Sequence, residues 1–336
     1  METTKKVNSL SFLRFLAVML VCFCHFANPL VANNPLAPIF QWIKIYGVHG
    51  VQIFFVISGF VIPLSMDKAQ YSIKHYFKFI VKRAVRLHPP YLVALALTLV
   101  IIFLANKVKH VPYPETIIST LKSCFYLHEP QHIPVFWTLK IEAEYYIFMG
   151  LYFVLLKNFP KLTMCLSYPL FMFLSQTQLP DYIGLFEHLV FFLIGATGYL
   201  IYMKQAPGIL EWASLAALSI FTFVYYPFGG ALAALFTVLF ILFFRGEISP
   251  FFNYMGEVSY SIYLIHYPIG VKFINVAMTH INPNYWLGLF SGTLVFVILI
   301  CLVFWKYVED PFARLSNKIK YGDRKRPVPV TIPSSI

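Results

Sequence analysis

Residues 9–29 read SLSFLRFLAVMLVCFCHFANP. About 20 successive apolar residues suffice to cross the hydrocarbon core of a bilayer as one helix, and this stretch qualifies. It also carries two ionisable side chains, Arg14 and His25. Both properties recur down the chain. Comparable runs lie at 43–65, 89–106, 134–156, 162–176, 182–203, 209–226, 229–245, 254–276 and 285–308. The sequence therefore predicts an all-α integral membrane protein with about ten transmembrane helices. Composition agrees. Of the 336 residues 59% are hydrophobic and 12% are charged, where a soluble domain carries about 25% charge. Mean hydropathy is +0.70. These values exclude a soluble enzyme, a disordered chain, a coiled coil and a disulfide scaffold. A membrane β-barrel would show segments of about 10 residues with alternating polarity, and the runs here do not alternate.

The net charge of +12 follows from 26 Lys and Arg against 14 Asp and Glu. In a soluble chain that excess would suggest nucleic acid. Here the cations segregate by side, so no nucleic-acid partner is expected. With the N-terminus inside, 19 of them fall in cytoplasmic segments, 5 outside, and Arg14 and Lys140 within spans. The positive-inside rule then puts both termini in the cytoplasm. Residues 71–87, YSIKHYFKFIVKRAVRL, are amphipathic and basic, and are expected to lie on the membrane surface. The short stretch 115–127 reads as a re-entrant or interfacial piece. The first span is not expected to be a cleaved signal, since Arg14 interrupts its core and no small-x-small site follows. One membrane domain over 1–315 is expected, then a basic, disordered cytoplasmic tail over 316–336. The five cysteines have neither a disulfide framework nor a zinc spacing, and no metal is expected. Gly47, Gly50, Ser58 and Gly59 are small residues that suit close helix packing.

Ionisable groups inside a membrane are functional candidates by default. Arg14 and His25 are eleven residues apart, about 20° short of coinciding on the helix, and roughly 16 Å apart along its axis. One helix face thus offers a phosphate-competent cation at one level and an acid–base group at another. On the fourth run Lys140 and Glu144 form an i,i+4 pair. Glu142 points elsewhere, and His25 is its expected partner. His266 shares a face with Ser259 and Tyr263. Glu187 and His188 sit near an outer helix end. Arg83 and Arg86, three apart, suit a phosphate-rich ligand or, equally, anionic lipid headgroups. No P-loop, GxGxxG or GxSxG motif is present in a usable context.

LRFLAVMLVCFCHF, GVQIFFVISGFVI, KRAVRLHPPYL, FWTLKIEAEYY, GEVSYSIYLIHYPI and VEDPFARL follow one another in order. That set resembles the acyltransferase 3 family over about residues 9–315. The resemblance implies a ten-helix core in the bacterial inner membrane. It would transfer an acyl group, usually acetyl, from cytoplasmic acyl-CoA to a hydroxyl of a cell-surface or lipid-linked glycan. It further implies that Arg14 and His25 form the signature pair, that Arg83 and Arg86 form the basic motif, and that Glu142 and His266 match the family's Glu and His. Thr138 and Lys140 depart from the usual motif. Many relatives carry an added soluble domain, so a separate partner protein is one expectation and direct transfer the other. The expected mechanism docks donor phosphates on Arg83, Arg86 and Arg14, with His25 as general base oriented by Glu142. An acyl-imidazole route stays open, and a lipid-linked glycan flippase is the competing reading.

Overall fold

The computed structural model describes residues 9–31, 35–131, 133–204 and 207–320. All regular structure among them is helical. The first half of the chain forms α1 (Ser9–Ala27), α2 (Ala37–Gly47), α3 (Gly50–Lys68), α4 (Tyr76–Val108), α5 (Ile117–Cys124) and α6 (Trp137–Asn158). The second half forms α7 (Pro160–Leu174), α8 (Leu179–Tyr182), α9 (Leu185–Met203), α10 (Ile209–Tyr225), α11 (Phe228–Phe243), α12 (Pro250–Ile265), α13 (Lys272–Ala277), α14 (Trp286–Phe304) and α15 (Asp310–Lys318). The predicted runs fall largely on helix, but 43–65 straddles α2 and α3, 89–106 is the second part of the longer α4, and 254–276 crosses from α12 into α13. Among the described residues five stretches are long and apolar enough to cross a membrane: Ser9–Val31, Ala37–Lys68, Ile73–Val108, Leu185–Met203 and Pro283–Lys318. Others fall short for visible reasons. Helix α10 rises only about 25 Å, and α6 carries Lys140, Glu142 and Glu144 in its first turns. Together the helices make a membrane protein, with large apolar side chains such as Val100, Leu166 and Leu299 left on its exterior. The tail beyond residue 320 lies outside the described residues. Residues 316–318, expected in that tail, belong to α15.

The stretch 71–87 differs from expectation. It is no separate surface helix: Tyr76–Val108 runs as one helix straight through Pro89 and Pro90. Part of its basic face turns inward: Arg83 and Arg86 line an internal cavity, while Lys74 and Lys78 are exposed. Tyr260 on α12 donates its hydroxyl to Leu87 O at 2.9 Å. Tyr91 reaches Ser123 O at 2.6 Å, and α15 packs along the same helix. Proline leaves carbonyls one turn back without an intrahelical donor, and an amphipathic helix tolerates this where neighbouring groups supply other partners.

Two apolar cores divide the interior. One joins α3, α6, α7 and α9 to α11, and the other joins α1, α4, α12 and α14. In a bilayer the lipid is as apolar as the core, so close packing holds helices together in place of water exclusion. Small residues supply it. A Cβ on Gly59 would stand 2.1 Å from Phe192 O, and one on Gly195 would stand 2.1 Å from Val56 O. Helices α3 and α9 therefore touch backbone to backbone. Gly47 and Gly50 do the same against α1, as their spacing suggested. Ser58 instead lines the cavity between the cores. At one end of the bundle Lys157 pairs with Asp67 at 2.7 Å. At the other, Glu144 accepts Leu185 N–H at 2.8 Å and faces Lys140 at 3.9 Å, the expected i,i+4 pair.

Candidate functional site

Between the two cores lies a cavity of about 440 Å³ on the side of the described chain ends, walled by α1, α3, α4, α6, α12 and the α14–α15 junction. That volume suits a small-molecule site. Arg14, Arg83, Arg86 and Glu142, taken from three different helices, all line it. Helix geometry explains why. Arg83 and Arg86 sit one turn apart on α4, and Glu142 with Tyr146 one turn apart on α6. Arg83 donates to Ser65 Oγ at 2.8 Å, and its guanidinium lies 5.5 Å from the Phe79 ring and 5.7 Å from the Tyr146 ring. Such stacking fixes a planar cation while leaving donors free. The Arg83 Nε is buried without a partner. Among the described residues Arg14 and Arg86 have no hydrogen bond or ion pair, and their nitrogens are not sealed in. They act electrostatically on each other and on Glu142.

Glu142 is hydrogen-bonded by the Tyr146 hydroxyl. Its expected partnership with His25 is not what the structure holds. The carboxylate sits among the arginines, and the imidazole packs elsewhere. His25 lies with its ring centroid 5.3 Å from His266 and 5.1 Å from Tyr267. The physical reason is charge: the guanidiniums of Arg14, Arg83 and Arg86 attract the Glu142 carboxylate into their cavity. His266 is fully buried where α12 passes into a wide, π-type turn over His266–Val271. Such turns are frequent at functional sites. Its Nδ1 faces Tyr263 O at 2.7 Å and Ile262 O at 3.1 Å. A carbonyl can only accept, so Nδ1 carries the proton and Nε2 keeps its lone pair. That Nε2 is buried with no partner.

Neither histidine lines the cavity. Tyr263 stands between, on the cavity wall with its ring 5.8 Å from that of His266. Its hydroxyl donates to Val135 O at 2.7 Å and meets Thr138 Oγ1 at 2.5 Å. The structure thus brings the six candidate residues into two adjoining places, four in the chamber and two beyond the Tyr263 latch. Ser259 lines the chamber. Glu187 is exposed, and His188 is wedged between Phe55 and Trp137. His128 is held by Glu115 at 3.0 Å, and His132 lies outside the described residues.

Tyr146 and Glu309, which line the cavity, and Ser65, which accepts from Arg83, are groups that sequence reasoning did not single out. Tyr146 was findable, four residues after Glu142 on one helix face. Ser65 carries no signal, since only the fold brings α3 to Arg83. Glu309 follows directly on the last apolar run, in VEDPFARL, where its position does not say what it faces.

Fold and site together define a polytopic helical membrane protein with a buried cationic chamber beside a pair of histidines. The family model for acyltransferase 3, described as an acyltransferase domain, matches residues 7–305. The chain belongs to that family, and an acyltransferase-type function follows from it. No curated protein and no solved structure matches the chain.

Proposed function

We propose that this protein transfers an acyl group, acetyl foremost, from cytoplasmic acyl-CoA to a hydroxyl of a cell-surface or lipid-linked glycan. In this reading the chain crosses the membrane ten times, with both termini in the cytoplasm of a bacterial inner membrane. The chamber then opens toward the cytoplasm, where acyl-CoA is found. One observation carries the proposal: an acyltransferase cavity lined by three arginines, two of them with no protein partner. Guanidiniums grip phosphates with paired, planar donors, and coenzyme A is rich in phosphate. A lipid headgroup would need a site open to the bilayer surface, whereas Arg14 is set among five helices.

The donor phosphates sit on Arg14, Arg83 and Arg86, and the pantetheine arm runs along α1 past Tyr263 to His25. That path is roughly 16 Å by helix rise, within the arm's reach. The acceptor oxygen attacks the thioester carbonyl as His25 takes its proton. The carbon–sulfur bond breaks, and the departing thiolate recovers the proton from the imidazolium. His266, whose Nδ1 is held by backbone carbonyls, stacks against His25 and sets its place.

Thermal unfolding of the purified protein in detergent tests this reading. A ligand at 100 times its Kd stabilises the native state by about 2.7 kcal/mol. Acetyl-CoA is expected to raise the midpoint dose-dependently in the wild type and not in Arg14→Ala or Arg83→Ala. His25→Ala is expected to keep the donor-induced shift and to lose transfer by roughly 10²–10⁴-fold. No shift at millimolar donor would sink the donor site, and normal transfer by His25→Ala would sink the base.

A further inference from the structure

The chamber contains a second carboxylate that the transfer chemistry leaves unused. Glu309 ends the wide turn Trp305–Glu309 between α14 and α15, lines the cavity and is 6% exposed. One of its oxygens, Oε2, accepts both the Ser261 N–H at 3.0 Å and the Ser261 hydroxyl at 2.5 Å. Ser261 is itself fully buried within α12. The carboxylate is therefore anchored to the scaffold independently of the arginines. Its other oxygen has no hydrogen-bond partner and is not sealed from the cavity. Arg86 and Arg14 line the same cavity as Glu309. These are the two guanidiniums without a hydrogen bond or ion pair, and they repel each other.

Two unpaired cations cannot share a low-dielectric chamber without a counter-charge nearby. Glu142 supplies part of it, with its carboxylate held by the Tyr146 hydroxyl. We propose that Glu309 is a positioning residue of the donor site: an anchored counter-charge that keeps Arg14 and Arg86 facing the empty cavity, and that opposes the phosphates once they arrive. The inference rests on the reading of the arginines as a phosphate site. It adds the regulation of that site. A cavity of bare arginines would hold coenzyme A so firmly that product release would stall. A fixed carboxylate within reach of the same guanidiniums lowers affinity for donor and product alike and keeps the site turning over.

The test is a titration of coenzyme A against purified protein in low-salt detergent, read by direct binding and by the thermal midpoint. Glu309→Gln keeps the shape and an acceptor for Ser261 but removes the charge. It is expected to bind coenzyme A about ten-fold more tightly, with a lower midpoint when empty and a larger ligand-induced rise. Ser261→Ala removes the hydroxyl half of the anchor, leaves the backbone N–H half and retains the charge. It is expected to lower the midpoint equally with and without ligand and to bring no gain in affinity. Should the Gln variant fail to fold, Glu309→Asp draws the same charge back from the cavity and must also tighten binding. Unchanged or weaker binding in a folded Glu309→Gln overturns this inference alone. No binding by the wild type overturns the donor reading and this inference with it.

Discussion

At Gly195 the bundle has no room for a single added carbon. A Cβ there would lie 2.1 Å from Val56 O and 2.8 Å from Phe60 N, both backbone atoms that cannot swing aside. Gly195→Ala is expected to force α3 and α9 apart and to cost about 1–3 kcal/mol, the usual penalty of overpacking. Gly292 meets nothing within 4 Å, so Gly292→Ala is the control. A lowered midpoint in the first variant and an unchanged one in the second check the argument. Equal midpoints would mean that the α3–α9 contact yields more readily than its geometry implies. Residue-level legibility was uneven here. That Gly59 packs closely was readable from a small residue in a span, but Gly195 as its counterpart was not, because nothing local says which helix comes to meet it.

Among the elements, α12 connects chamber and histidines. Its Tyr263 side chain faces the cavity, and one turn later the helix widens at His266. The Tyr263 hydroxyl ties α12 to the start of α6 through Val135 O and Thr138. A donor arm going from the arginines to His25 has to displace this ring. Tyr263→Phe keeps the ring and removes the tie, which is worth about 0.5–1.5 kcal/mol. The expected outcome is loosened access, with hydrolysis of acetyl-CoA by water to acetate and free CoA rising roughly 2- to 10-fold when no acceptor is present. A thiol-reactive dye reads this directly, and an unchanged rate would mean that the latch does not limit entry. Helix α4 is the element where sequence and fold part company. Its basic, amphipathic half looked like a membrane-surface helix because pattern alone registers a polar face. The pattern cannot register that α6, α12 and α15 would cover part of that face.

For the molecule as a whole, the decisive quantity is the side on which each loop lies. The proposed orientation would put Lys68 and Lys161 inside, and Lys109 and Lys122 outside. The Lys157–Asp67 pair joins the ends of α6 and α3 at one face of the bundle. Single cysteines at these four lysines, with Cys124 and Cys165 changed to serine, can be labelled in intact cells by an impermeant maleimide. Positions 109 and 122 are expected to label at once, and 68 and 161 only after permeabilisation. The reverse pattern would invert the protein. Labelling of 68 and 109 from one side would mean that α4 does not cross.

The membrane class, the helical content and the identities of Arg14, His25, Arg83, Arg86, Glu142 and His266 were determined by the sequence itself. Apolar run length and costly intramembrane charge are local properties, legible residue by residue. Which of those charges meet was decided by tertiary structure. Glu142 went to the arginines and His25 to His266, because partner choice depends on the field of several helices at once. Glu309 entered the chamber for the same reason. Its neighbours Ser261, Arg86 and Arg14 are remote in the chain, and only the packing of α14 and α15 against α4 and α12 brings them within reach.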